Sequence, residues 1–162
     1  MDHHDKPTTN GDSRLDWGGV LPEARSAMIG LEQVARKAGL PRPLLELVKV
    51  RVSQMNGCSY CLDMHTKEAR RGGESEQRLY ALAAWHETPF FTPRERAALF
   101  WAEALTNIAQ GVPDTVYSAV SEHFSDHEIV ALTSAVVAIN AWNRWASSMR
   151  TEPGTYRPDL TQ

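Results

Sequence analysis

Residues 43–73 read PLLELVKVRVSQMNGCSYCLDMHTKEARRGG, and this stretch decides the fold class. Two helical segments stand on either side of Asn56-Gly57, a pair that stops a helix because glycine enters the left-handed region without a Cβ penalty. The first segment runs from about Pro43 to Met55, and the second opens at Cys58 and continues to the Gly72-Gly73 break. Outward from here the punctuation stays helical. Upstream, Pro22 suits a first helical position, and Ala27, Met28, Leu31, Val34, Ala35 and Ala38 form a 3.6-period face ending at Gly39. Downstream, a helix is expected from about Ser75 to Trp85. Thr92-Pro93-Arg94-Glu95 is a capping box that launches another, and Pro113 starts a short one. Ser125-Asp126-His127-Glu128 is a second capping box before a long helix reaching about Met149. That helix carries Ile129, Val130, Leu132, Val136, Val137, Ile139, Trp142 and Trp145 around nearly its whole circumference, which marks it as the core helix or an interface helix. No segment alternates with period two between hairpin turns. The expected fold is all-α, a compact helical bundle.

At 162 residues the chain has the length for one domain with a real core. Residues 1 to about 15 are polar and without apolar periodicity, which reads as a disordered or loosely docked tail, leaving 16–162 as the single domain. His3 and His4 fall in that tail and lack the preorganised geometry of a metal site. Lys and Arg total 17 against 20 for Asp and Glu, a net charge near −3 that provides no basic field for nucleic acid or anionic lipid. The longest apolar run, Ile129 to Ile139, contains Thr133 and Ser134 and falls short of the roughly 20 residues of a membrane span. The N-terminus shows neither a cationic start followed by an apolar stretch nor a cleavage site, so a cytoplasmic location is expected.

The two cysteines lie too close together for their loop to act as a structural staple, so chemistry explains them better. Cys58, Cys61 and His65 stand at i, i+3 and i+7, along one face of one helix. Cys58 lies at the helix N-terminus, where free backbone N–H groups and the dipole favour thiolate. Two thiols so spaced can cycle between dithiol and disulfide, and His65 can move protons near neutral pH. No βαβ unit surrounds this C-x-x-C, so the thioredoxin explanation lacks structural support.

Glu46, a charge inside the apolar run Leu44 to Val48, is a further candidate. If the helices flanking Gly57 pack as a hairpin, Glu46 and His65 differ in axial level by only about 4 to 5 Å, which permits a Glu–His–Cys relay. The competing reading makes Glu46 a solvated partner of Lys49 at i+3. The same sulfurs and imidazole also admit a zinc site with Glu46 as fourth ligand, but three candidates crowd one helix and no second ligand pair appears. Plain packing of buried cysteines is the third reading. Elsewhere, Trp85, Phe90, Phe91, Trp101, Trp142 and Trp145 read as core or subunit-interface anchors rather than a cofactor box, and His86 is a candidate for the pocket border. Glu103 is expected to face water beside Arg96. Asn143 and Arg144 are expected to satisfy helix ends or partner carboxylates, and His123 and His127 to lie on the surface.

Glu46 stands twelve residues before the first cysteine of Cys58, Cys61 and His65. With residues 85–106 (WHETPFFTPRERAALFWAEALT) and Asn140-Ala141-Trp142-Asn143-Arg144, this pattern resembles the redox branch of the alkylhydroperoxidase D and carboxymuconolactone decarboxylase superfamily, from about Leu44 to Trp145. The resemblance implies an alkylhydroperoxidase D-like bundle forming a homo-oligomer, trimeric or hexameric. It also implies a peroxidase that reduces hydroperoxides through a cysteine sulfenic acid and then a disulfide, with no cofactor and with a dithiol, a lipoyl-type reductant or an adaptor protein as electron donor. By that analogy Cys61 meets the peroxide, Cys58 donates the proton and resolves the intermediate, and Glu46 and His65 relay protons. The dipole argument nominates Cys58 as first nucleophile, so the two lines differ on order. The chain departs from the best-characterised peroxidases at Tyr60, where they carry histidine, and tyrosine is a poor proton carrier at neutral pH. The decarboxylase branch generally lacks the cysteine pair and would leave Cys58 and Cys61 unexplained. Two further function classes stay open: a redox-sensing oligomer without turnover, and a zinc-binding module.

Overall fold

A computed structural model describes residues 13–158, and every regular element among them is helical. In chain order these are α1 (Trp17–Val20), α2 (Pro22–Lys37), α3 (Arg42–Asn56), α4 (Ser59–Arg71), α5 (Glu76–Ala81), α6 (Pro93–Thr106), α7 (Asp114–Ser121) and α8 (Asp126–Ser148), with 3₁₀ turns at Leu82–Glu87 and Ile108–Gln110. Residues 1–12, which include His3 and His4 and most of the expected tail, lie outside the described residues. The last of that tail is docked, since the Arg14 N–H donates to the Met149 carbonyl at 2.9 Å.

The helix ends follow the local chemistry of the sequence. Gly57 closes α3 at φ 64°, and the chain turns straight into α4, with the Cys58 N–H donating to the Ser53 carbonyl at 3.1 Å. Both capping boxes form: Thr92 and Ser125 accept from the backbone N–H groups of Glu95 and Glu128, whose carboxylates accept in return from the cap N–H groups. α1 is the helix that periodicity does not reveal, because a single turn carries no repeat to detect.

α3 is the central element and packs on α4, α6 and α8. Leu44 to Val50 is buried without a break, so two charged residues, Glu46 and Lys49, are carried into the core along with the aliphatic ones. Opposite it, α8 buries Ile129, Leu132, Val136 and Ile139, while Val130 and Val137 stay 65% and 49% exposed, so one side of that helix faces outward. α2 packs along α8 and α1 but stands off from α3 and α4. Of the apolar face expected on α2, only Ala35 is fully buried and Val34 is exposed, because α8 supplies a partner on one side alone. No helix among the described residues is long and apolar enough to cross a membrane.

Leu132 has no exposed surface and Val130, two residues earlier, is mostly in solvent. Leu132→Ala is expected to lower the unfolding free energy by about 2–5 kcal/mol, since a cavity is left where the neighbours cannot collapse. Val130→Ala is expected to change it by no more than about 0.5 kcal/mol. Urea-unfolding midpoints of the two variants check this contrast, and similar losses would mean that α8 is not buried as described.

Candidate active site

Glu46, Cys58, Cys61 and His65 come together where α3 and α4 pack beside Gly57, and all four are buried. Cys58 is the N-cap residue of α4, and its Sγ accepts the Cys61 N–H at 3.4 Å. Both thiols are reduced. The Cys61 thiol donates to the Cys58 sulfur, and Ser147 and Asn143 of α8 add further donors. The hydrogen bond from Cys61 is the largest influence; with the Cys61 N–H and the two α8 side chains it overrides burial and pulls the Cys58 thiol down to about 6. The Cys61 thiol is pushed up for the complementary reason: its proton is committed to Cys58, it is buried, and it faces the charge on its neighbour. The pair is an asymmetric couple, with a thiolate at the cap and a protonated donor one turn on.

Glu46 resolves both of its sequence readings at once, and it is not solvated. One carboxylate oxygen lies 2.8 Å from His65 Nδ1, and the other lies 3.6 Å from Lys49 Nζ. Burial pushes this carboxyl up, but the hydrogen bond and charge of His65, followed by Lys49 and Arg42, hold it below its ordinary value. Lys49, 4% exposed, also donates to Glu32 Oε1 at 2.5 Å. The result is a chain from the half-buried Glu32 on α2 through the buried Lys49 and Glu46 on α3 to His65 on α4.

The gap between α2 and the α3–α4 pair opens a cavity of about 520 Å³. Cys61, Glu46 and His65 line it, whereas Cys58 does not, so the protonated sulfur faces the open space and the thiolate sits behind it toward α8. Tyr60 lines the cavity too. Its phenol is pushed above its ordinary value by burial and then by the negative charge shared by the cysteine pair and that of Asp63, which keeps it protonated.

Several expectations change. Trp142 and Trp145 line the cavity, Trp142 while also packing against the core, and Trp85 and Trp101 are core residues. Trp17, assigned no role from the sequence, stacks on Trp145 at 4.1 Å between centroids and forms part of the same wall. Glu103 does not face water beside Arg96: it accepts from Arg51 Nε and Trp85 Nε1, each at 2.7 Å, and Arg96 donates to backbone carbonyls instead. His86 lies beside Glu103 and is not among the residues lining the cavity. Asn143 does not cap a helix end. It is buried, donates to Ser53 Oγ at 3.1 Å, accepts from Asn56 at 2.8 Å and reaches Cys58. The test that singles out Glu46 would also have found Lys49, since it too is a charge inside an apolar run. Glu32, Trp17 and Asn143 carry no such signal, because their positions depend on how α1, α2 and α8 pack. Among the described residues no group of three or more potential ligands is arranged to hold a metal ion.

The model of the carboxymuconolactone decarboxylase family matches residues 22–104. The uncharacterized protein YdfG of Bacillus subtilis strain 168 is 42% identical over 137 residues, covering 84% of this chain and 93% of that protein. A protein of unknown function from Agrobacterium tumefaciens, assigned provisionally to antioxidant defence as an AhpD, superposes with a TM-score of 0.86 at 41% identity, over 90% of this chain and all of that one. A peroxidase-related protein with an alkylhydroperoxidase AhpD core, from Ralstonia eutropha JMP134, superposes with a TM-score of 0.75 at 22% identity over 85% and 74% of the two chains, a likeness of fold.

The asymmetry of the thiols has a direct readout. Thiolate ultraviolet absorbance followed against pH is expected to show one cysteine ionising with a midpoint of about 6 while the second stays protonated into the alkaline range. Cys61→Ala removes the principal donor to Cys58 and is expected to raise that midpoint. Two thiols titrating together near the ordinary cysteine value would contradict the couple.

Proposed function

The chain belongs to the alkylhydroperoxidase D-like and carboxymuconolactone decarboxylase superfamily, and from that premise we propose that it is a thiol peroxidase reducing organic hydroperoxides through a Cys58–Cys61 dithiol–disulfide cycle. The observation that carries the reading is the reduced pair itself: a cavity-facing Cys61 hydrogen-bonded to a Cys58 thiolate, one helical turn from the buried Glu46–His65 pair.

The chemistry balances within the named residues. Cys61 passes its proton to the Cys58 thiolate, and the resulting Cys61 thiolate attacks the terminal oxygen of the hydroperoxide. The S–O bond forms as the O–O bond breaks, the alkoxide leaves as alcohol with a proton delivered from the acid–base groups at the site, and Cys61 is oxidised to sulfenic acid. Cys58, deprotonated again, attacks the Cys61 sulfur, and the S–S bond forms as the S–O bond breaks to release water. An external dithiol, of the lipoyl type in the reading offered by the resemblance, returns two electrons and two protons by thiol–disulfide exchange. Glu46, held ionised by His65 and Lys49, keeps the imidazole oriented to take and return protons at the cavity. On this scheme the thiolate at Cys58 is the base that activates Cys61, which reconciles the dipole argument with the order implied by the resemblance.

Steady-state hydroperoxide consumption with dihydrolipoamide as reductant tests the proposal. Cys61→Ser is expected to abolish it, Cys58→Ser, which removes both base and resolving thiol, to react slowly and stop after one equivalent with a sulfenic acid that dimedone traps, and Glu46→Gln to slow it by about 10²-fold or more. Stoichiometric disulfide formation without turnover would instead make the chain a redox-responsive protein.

A further inference from the structure

The cavity is larger and more cationic than the reduction of a small peroxide requires. At about 520 Å³ it is in the size range of sites that enclose whole organic ligands, whereas a water molecule occupies only about 30 Å³ and hydrogen peroxide little more. Its walls carry Arg25, Arg36, Arg42, Lys49 and Arg71 against Glu32, Glu46 and Glu68, a local excess of positive charge in a chain whose net charge is −3. The three carboxylates are already engaged: Glu32 and Glu46 by Lys49, Glu46 also by His65, and Glu68 by Arg42 at 2.6 Å and by the Tyr156 hydroxyl. Arg25 and Arg36 have no carboxylate partner among the described residues.

These two arginines share one face of α2 with Ile29 and Glu32, at i, i+4, i+7 and i+11, so they stand at opposite ends of that wall, about 16 Å apart. The stem of Arg25 lies over Gly18 of α1, where any larger residue would displace it. Beside it Trp17 stacks on Trp145, and Trp142, tilted by 56° with its ring 6.1 Å from that of Trp17, extends this aromatic wall of the cavity that Cys61 also lines.

We propose that this cavity binds an organic carboxylate with an aromatic, apolar body, its ring against the tryptophans and its anion held by one of the two arginines of α2, so that the hydroperoxide reduced at Cys61 is a carboxylated one. Naming the ligand a hydroperoxide rests on the peroxidase reading above, whereas the anion site rests on the arginines and the rings alone. Guanidinium groups suit a carboxylate because their paired N–H donors match its two oxygens, and the aromatic wall adds area that inorganic anions cannot use.

The test separates the two layers. Binding of 4-isopropylbenzoate to the full chain is followed by quenching of tryptophan fluorescence and compared with 4-isopropylbenzamide and with inorganic phosphate at equal ionic strength. Benzoate is expected to bind about tenfold more tightly than the amide, a difference of one decade in Kd, and phosphate to compete poorly. In Arg25→Gln/Arg36→Gln the preference for benzoate over amide is expected to disappear, and Arg25→Lys/Arg36→Lys to restore part of it. With carboxylated and plain cumene hydroperoxide as substrates, kcat/KM is expected to favour the carboxylated one by a similar factor, lost in the same double variant. Equal binding of benzoate and amide by the unmodified protein, or a preference untouched by the glutamine variant, overturns the anion site even if both hydroperoxides are consumed. Selective benzoate binding with no consumption of either hydroperoxide sustains the anion site and overturns the peroxidase reading.

Discussion

A carboxylate and an ammonium group lie in the middle of the central helix, and the rest of the architecture answers to that constraint. Unpaired, either charge would be expensive to bury, so Glu46 and Lys49 need partners that arrive from elsewhere in the chain. His65 comes from α4 and Glu32 from α2, which makes the charge network a tie between three helices as well as part of the site. Each charge has two neighbours, and that division keeps Glu46 ionised in spite of its burial. A carboxyl left to burial alone would be raised and neutral, and would orient the imidazole far less strongly.

The cysteine pair depends on this frame in a different way. Because Gly57 ends α3 abruptly, Cys58 falls at the N-cap of α4, where its sulfur meets the backbone N–H of Cys61 instead of a solvent molecule. Ser147 and Asn143 of α8 complete the set of donors around its sulfur. Two chemically identical side chains three residues apart are thereby made unequal: one is stabilised as an anion in a closed environment, and its neighbour retains its proton and faces open space. In the proposed cycle that inequality is useful, since the base and the attacking sulfur are adjacent before any peroxide arrives.

How much of this is legible in the sequence depends on whether the signal is local. The helix stop at Asn56-Gly57, the capping boxes at Thr92 and Ser125, and the placement of Cys58, Cys61 and His65 on one face all follow from spacing, and each reappears in the structure. Glu46 is visible as a charge in an apolar run, and the geometry of a helical hairpin puts it within reach of His65. What spacing cannot supply is the identity of neighbours brought by tertiary packing. Glu103 reads as a surface glutamate on α6 until Trp85 and Arg51 are seen to converge on it. Asn143 reads as a cap until α8 is laid against α3. The apolar face assigned to α2 fails for the same reason, since periodicity predicts which residues share a face but not whether another helix covers it.

α2 shows why the cavity exists at all. It packs along α8 and α1 yet fully buries a single alanine, because its side toward α3 and α4 is left largely uncovered. It is held at its far edge by the Glu32–Lys49 ion pair and, through α1, by the Trp17–Trp145 stack. Tight packing of α2 on α3 would have buried more surface and removed the space in front of Cys61. The chain instead seats α2 along α8 and α1, and its ion pair to Lys49 and the Trp17–Trp145 stack both contribute residues to the wall of the opening. The contacts that hold α2 away from α3 and α4 are therefore part of the site, and the apolar burial forgone along that gap is the physical cost of keeping a cavity beside the buried Cys61.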